Sequence, residues 1–160
     1  MGEWNRSTRE SSLESLRPEI VGAINQHIEL YNLGPILNDY LICVETRSTK
    51  KKKGLFSGGD GRPIIVTAIT TPRWLVWVVE EKGVTALSVR LQDMVAVDYK
   101  DTPGYKLIPD SGIDITGTIT GRIGVDDNQR TSSFIGLGEE PAAIKFKETL
   151  LRSVREAKLK

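Results

Sequence analysis

The hydrophobic pattern is densest between Pro63 and Tyr99, and its short periods are those of β-structure. Ile64-Ile65-Val66 and Trp74 to Val79 are continuous apolar runs, the pattern of strands covered on both faces. Thr71-Pro72-Arg73 separates them as a tight connection. Val84 to Leu91 alternates, with Leu87, Val89 and Leu91 on one face and Ala86, Ser88 and Arg90 on the other. Val95, Val97 and Tyr99 repeat the alternation. Trp74 and Trp77 point to opposite faces of their strand. Core packing claims at least one of them, and the other, if exposed, marks a partner surface.

The flanks extend this order. Residues 1 to 10 are polar and are expected to be loose. Leu13, Leu16, Ile20, Ile24, Ile28 and Tyr31 recur at steps of three or four and predict an amphipathic helix. Its start is at Ser11 or at Ser15 just ahead of Pro18, and Asn32-Leu33-Gly34-Pro35 ends it. Asp39 to Thr46 reads as the first strand. Tyr105 to Ile108 reads as a short strand, and Ile113, Ile115 and Ile119 as one face of a half-buried strand with a bend or bulge at Gly117. Arg122 to Arg130 is a hairpin connection and Thr131 to Leu137 the last strand. Gly138-Glu139-Glu140-Pro141 opens a helix with Ala143, Phe146, Leu150 and Val154 on its apolar face. The short connections imply a mostly antiparallel sheet that closes or nearly closes on itself. The expected fold is mainly β with flanking helices: an N-terminal tail and helix over 1–37, then a β-rich domain over 38–160, folded as one unit.

Composition narrows the function classes. In 160 residues, 22 basic side chains nearly cancel 21 acidic ones, so the whole protein is no polyanion binder and any electrostatic role must be local. Cys43 is the lone cysteine, which excludes an intrachain disulfide and fits a reducing compartment; in mid-strand it reads as a small buried hydrophobe. His27 lies one position from the apolar stripe with no second ligand at metal spacing, and reads as a surface or boundary residue. Met1-Gly2 lacks the Ser or Thr that myristoylation wants at the sixth position, where Arg6 stands. With no apolar run long enough to span a bilayer, the expected location is cytoplasmic, with peripheral membrane contact as an option.

The strand-turn-strand Ile65-Val66-Thr67-Ala68-Ile69-Thr70-Thr71-Pro72-Arg73-Trp74-Leu75-Val76, the step Val89-Arg90-Leu91-Gln92-Asp93-Met94-Val95-Ala96-Val97 and the terminal helix Ala142 to Ala157 resemble the pleckstrin-homology-like superfamily. The likeness is to its bacterial members and the related GRAM domains, and covers residues 38 to 158 or so. It implies a partly open antiparallel β-barrel of about seven strands, two near-orthogonal sheets with the C-terminal helix plugging one corner. It also implies a non-catalytic module that recognises lipid headgroups, peptides or proteins, and that often assembles into oligomers.

The sharpest candidate site is the Lys-rich segment 47–62, where Arg47, Lys50, Lys51, Lys52, Lys53 and Arg62 face the single acid Asp60. Its glycines predict a flexible loop. Clustered lysines favour an anionic lipid surface, and Leu55 and Phe56 at the tip would add apolar insertion. The simpler reading of the same lysines is a solvated loop that keeps the protein soluble. The alternative function is a self-assembling protein–protein interaction module, a homo-oligomer with no lipid ligand. Nucleic acid is disfavoured, because no aromatic residue alternates with the lysines. Asp101-Thr-Pro-Gly104 resembles a nucleotide switch, but no phosphate-binding loop accompanies it. Asp126-Asp127-Asn128 lacks the rest of a calcium loop. These are turn compositions, so the expectation is no enzyme, no cofactor and no metal.

Overall fold

The computed structural model describes residues 3–51 and 61–159. Among the described residues, eight strands form two antiparallel sheets. The first is a meander of β1 (Trp4–Ser11), β2 (Ile42–Lys50), β3 (Ile64–Thr70), β4 (Trp74–Glu80) and β5 (Val84–Arg90). The second holds β6 (Val95–Asp98), β7 (Gly112–Thr118) and β8 (Arg130–Gly136). The α-helices are α1 (Pro18–Leu30) and α2 (Pro141–Lys158). Among the described residues the sheets are joined by one bridge, Ser88 to Thr120, and do not close into a barrel.

The run Trp74–Val79 has the outcome expected of it, since the middle of the five-stranded sheet is covered on both faces, whereas Ile64, Ile65 and Val66 are only half-buried. One face presents Val44, Ala68, Leu75, Trp77 and Val89 to the second sheet and to the Ala143–Phe146–Leu150–Val154 stripe of α2. The other presents Cys43, Ile69, Val76 and Val78 to Ile20 and Ile24 of α1. Each large side chain fully buried in this way contributes roughly 1.5–3 kcal/mol. Trp77 is the core tryptophan, and Trp74 is half-buried on the α1 side.

The expected sheet of about seven strands closing on itself is instead two sheets with eight strands among the described residues, and three further expectations need correction. Residues 4–11 are not a loose tail but the edge strand β1, paired along its whole length with β2 from Trp4 opposite Lys50 to Ser11 opposite Cys43. Hydrophobicity could not reveal it, because Arg6 and Thr8 are held by polar partners distant in sequence. Arg6 donates to Asp110 Oδ1 and Oδ2 at 2.9 and 2.8 Å and to Ser48 Oγ at 2.7 Å. The hydroxyl of Thr8 meets that of Thr46 at 2.7 Å and accepts from the Gly138 N–H at 2.8 Å. The Thr8 N–H donates to Glu140 Oε1 at 3.1 Å, so the lead-in to α2 covers an edge that would otherwise offer free backbone groups. Secondly, Arg47–Lys50 belong to β2 rather than to a loop, since β1 extends the ladder to Lys50. Thirdly, Pro103–Lys106 is a 3-10 turn and not the start of a strand. At Gly117 the requirement is close approach: a Cβ there would come within 2.9 Å of Val89 Cγ2 across the two sheets.

The Arg6–Asp110 pair is one ionic tie between the sheets, with both side chains largely buried (11% and 16% exposed). Burial alone would raise the Asp110 carboxyl, but the Arg6 guanidinium and the Ser111 N–H hold it below its ordinary value. A carboxyl held low stabilises the fold above its unfolded value, about 4, and loses that contribution as pH falls through and below it. Asp110→Asn is therefore expected to cost about 2 kcal/mol in urea unfolding at pH 7. The deficit relative to wild type should shrink at pH 3. A constant deficit at both values would show that the pair's charge is not what stabilises.

Candidate functional site

A groove of about 560 Å³ opens at the end of the first sheet where β3 turns into β4. Local chemistry builds each wall. On one side α1 ends with Asn32 in the left-handed region (φ +54°), its N–H on the Glu29 carbonyl and the Leu33 N–H on that of Ile28. This helix stop reverses the chain. It launches Leu33, Pro35, Ile36 and Asp39 along the rim, until the Leu41 N–H meets the Thr70 carbonyl at 2.8 Å. On the other side Thr71 Oγ1 accepts from the N–H groups of Arg73 (3.2 Å) and Trp74 (2.9 Å), fixing the β3–β4 turn. The Leu91 N–H then donates to the Arg73 carbonyl at 2.9 Å, which sets the end of β5 beside that turn.

This wall carries the charge. Arg90 stands directly across the ladder from Trp74, and its guanidinium carbon lies 5.2 Å from the centre of the indole. A guanidinium stacked on an aromatic face loses part of its freedom in advance and keeps its N–H edges for another partner. Arg73 and Gln92 complete the wall, both exposed. Neither Arg73 nor Arg90 forms an ion pair among the described residues. Two cations and an indole beside an apolar rim can hold an anion through charge-assisted hydrogen bonds.

The basic residues read from the sequence lie elsewhere. Lys50 ends β2 opposite Trp4, the Lys51 N–H donates to the Glu3 carbonyl at 2.8 Å, and Arg62 sits just before β3. Arg47 is exposed within β2. These four gather towards the end of the sheet opposite the groove, about 20 Å away along the strands. Lys52, Lys53, Leu55 and Phe56 lie outside the described residues.

His27 and Cys43 are both buried. Desolvation pushes the Cys43 thiol up to about 12, with Glu45, Glu10 and Glu14 adding to the effect, so it stays protonated at neutral pH. His27 is not at the surface. Its Nε2 lies 2.8 Å from Ser88 Oγ, its ring 4.8 Å from that of Tyr31, and Gly121 packs against it. A Cβ at Gly121, whose φ is +101°, would meet the ring at 2.9 Å. The spacing placed His27 three residues after Ile24, within reach of the apolar face; its partner Ser88, 61 positions on, gave no local signal.

Comparison of the chain with protein-family models, with curated proteins and with solved structures found no match, so geometry carries the functional argument.

Burial lowers the His27 pKa below 6.5, with the charge of Asp127 opposing in part. A base held neutral by folding gives stability that is full above its unfolded value and is lost as pH falls through it. Urea midpoints of the wild type should therefore drop between pH 7.5 and 5.5. His27→Gln, less stable at pH 7.5, should show a smaller drop over that interval, and equal drops would rule out His27 as its source.

Proposed function

We propose that this protein is a non-catalytic recognition module that holds an anionic group in the groove between Arg73, Arg90 and Trp74. The observation that carries this reading is the pair of arginines lining the cavity without carboxylate partners among the described residues, one of them already stacked on Trp74. The order of β2–β8 followed by α2 supports the finer reading of the fold as pleckstrin-homology-like, with β1 and α1 as additions to it. Recognition then uses the sheet as a frame, since its faces are spent on packing.

A second reading places an anionic membrane surface at the opposite end of the sheet. The position of Arg47, Lys50, Lys51 and Arg62 towards one end favours it. The two readings separate because the two basic regions lie at opposite ends.

Titration with inorganic phosphate at low ionic strength, followed by amide and indole ¹⁵N shifts, should move the Trp74 indole resonance. Arg73→Gln and Arg90→Gln are each expected to weaken this binding by roughly tenfold or more, the loss of a charge-assisted hydrogen bond. Lys50→Ser with Lys51→Ser should leave it unchanged. Shifts confined to Lys50 and Lys51 would contradict the groove reading. Co-sedimentation with anionic vesicles lost in that lysine variant would support the second.

A further inference from the structure

Every side of the groove bears on what fits it. The charged wall is Arg73 and Arg90, with Gln92 beside them; Leu33, Pro35 and Ile36 supply an apolar rim, and Pro72 and Trp74 also line the groove. Bare inorganic anions would use the charged wall and leave the apolar rim in water. The rim residues are only partly covered by the protein: Leu33 and Ile36 are half-buried and Pro35 is exposed. An apolar rim in that state gains by being covered. The volume, about 560 Å³, falls in the range of sites for small organic molecules and exceeds what one phosphate or carboxylate fills. Asp39 on the same rim carries a charge that opposes a second anionic group at that side. A strand of a partner protein is a poorer fit: at this end the backbone of Arg73 is paired with Leu91 and that of Thr70 with Leu41, so these groups are not free to extend a ladder.

We infer that the ligand of this groove is a small amphipathic anion, one carboxylate or phosphate group joined to an apolar body. This rests on the anion-recognition reading and specifies its ligand. The anionic group takes the N–H edges of Arg90 and Arg73. The apolar body lies against Trp74 and the Leu33–Ile36 rim. No bond is made or broken. The anion sets orientation and the rim supplies selectivity, since each apolar contact adds affinity in proportion to the area removed from water. The same chemistry is offered by an aromatic acid or by a short-chain lipid headgroup, and their apolar bodies differ in shape.

Calorimetric or ¹⁵N-shift titrations with inorganic phosphate, phenyl phosphate, butyl phosphate and benzoate test this. Phenyl phosphate is expected to bind at least about tenfold more tightly than inorganic phosphate, the gain from burying most of a ring. Benzoate should bind in the same place. Tighter binding of phenyl than of butyl phosphate identifies an aromatic body, and the reverse order identifies an alkyl chain; either supports an amphipathic ligand. Trp74→Leu should remove the phenyl advantage while inorganic phosphate still binds. Because Trp74 also packs beneath α1, Leu33→Ser on the rim is the second variant, expected to cut phenyl phosphate affinity several-fold with an unchanged unfolding midpoint. Equal affinity for inorganic and organic phosphates, both lost in Arg90→Gln, would overturn the amphipathic ligand and leave anion recognition standing. No binding of any of the four would overturn both.

Discussion

A sheet buried on both faces must be covered twice, and that constraint organises this molecule. The five-stranded sheet gives one face to α1 and the other to α2 and the second sheet. The covers come from opposite ends of the chain, so the fold is complete only when both flanks have returned to the middle. Polar ties then fix the covers in place. Arg6 and Thr8 bind β1 to Asp110 and Gly138, and Lys145 of α2 pairs with Glu10 at 2.9 Å. On the other face His27 of α1 meets Ser88 of β5. The hydrophobic contacts supply most of the energy, and these bonds decide which residues stand opposite one another.

The groove is a consequence of where one cover stops. Past the end of α1 at Leu30 the chain crosses the sheet end as an irregular connection, leaving Trp74 half-covered between that connection and the β3–β4 turn. Ser88 and Arg90 project on the same face of β5, so the bond that anchors α1 stands two ladder positions from the stacked arginine. The groove and the packing of α1 therefore share a frame.

Much of this architecture was legible in the sequence, where apolar periodicity carries it. The run Trp74–Val79 implied two-sided burial and Pro141 the start of α2, and both are as expected, while the run Ile64–Val66 implied the same burial and is only half-buried. β1 was not legible, because Arg6 and Thr8 are satisfied by Asp110, Thr46 and Gly138, and no local window contains those partners. The site was legible only in fragments. Pro72-Arg73 stood out as a turn and Trp74 as one of two tryptophans on opposite faces. Nothing in the chain's order says that residues 33–39, 71–74 and 90–92 meet. Of the lysine run, the loudest charge signal, the described residues Lys50 and Lys51 lie at the opposite end of the sheet. Charge density along a sequence and charge convergence in space are different quantities, and here they name different places.

The proposed ligand site is the arginine groove and not the lysine end. Crystals grown with 4-bromophenyl phosphate test it directly, because bromine scatters anomalously and marks the apolar end of the molecule. The expected result is a bromine peak against Leu33 and Ile36, with phosphate density between Arg73 and Arg90. A peak near Lys50 or Lys51 above an empty groove would contradict it.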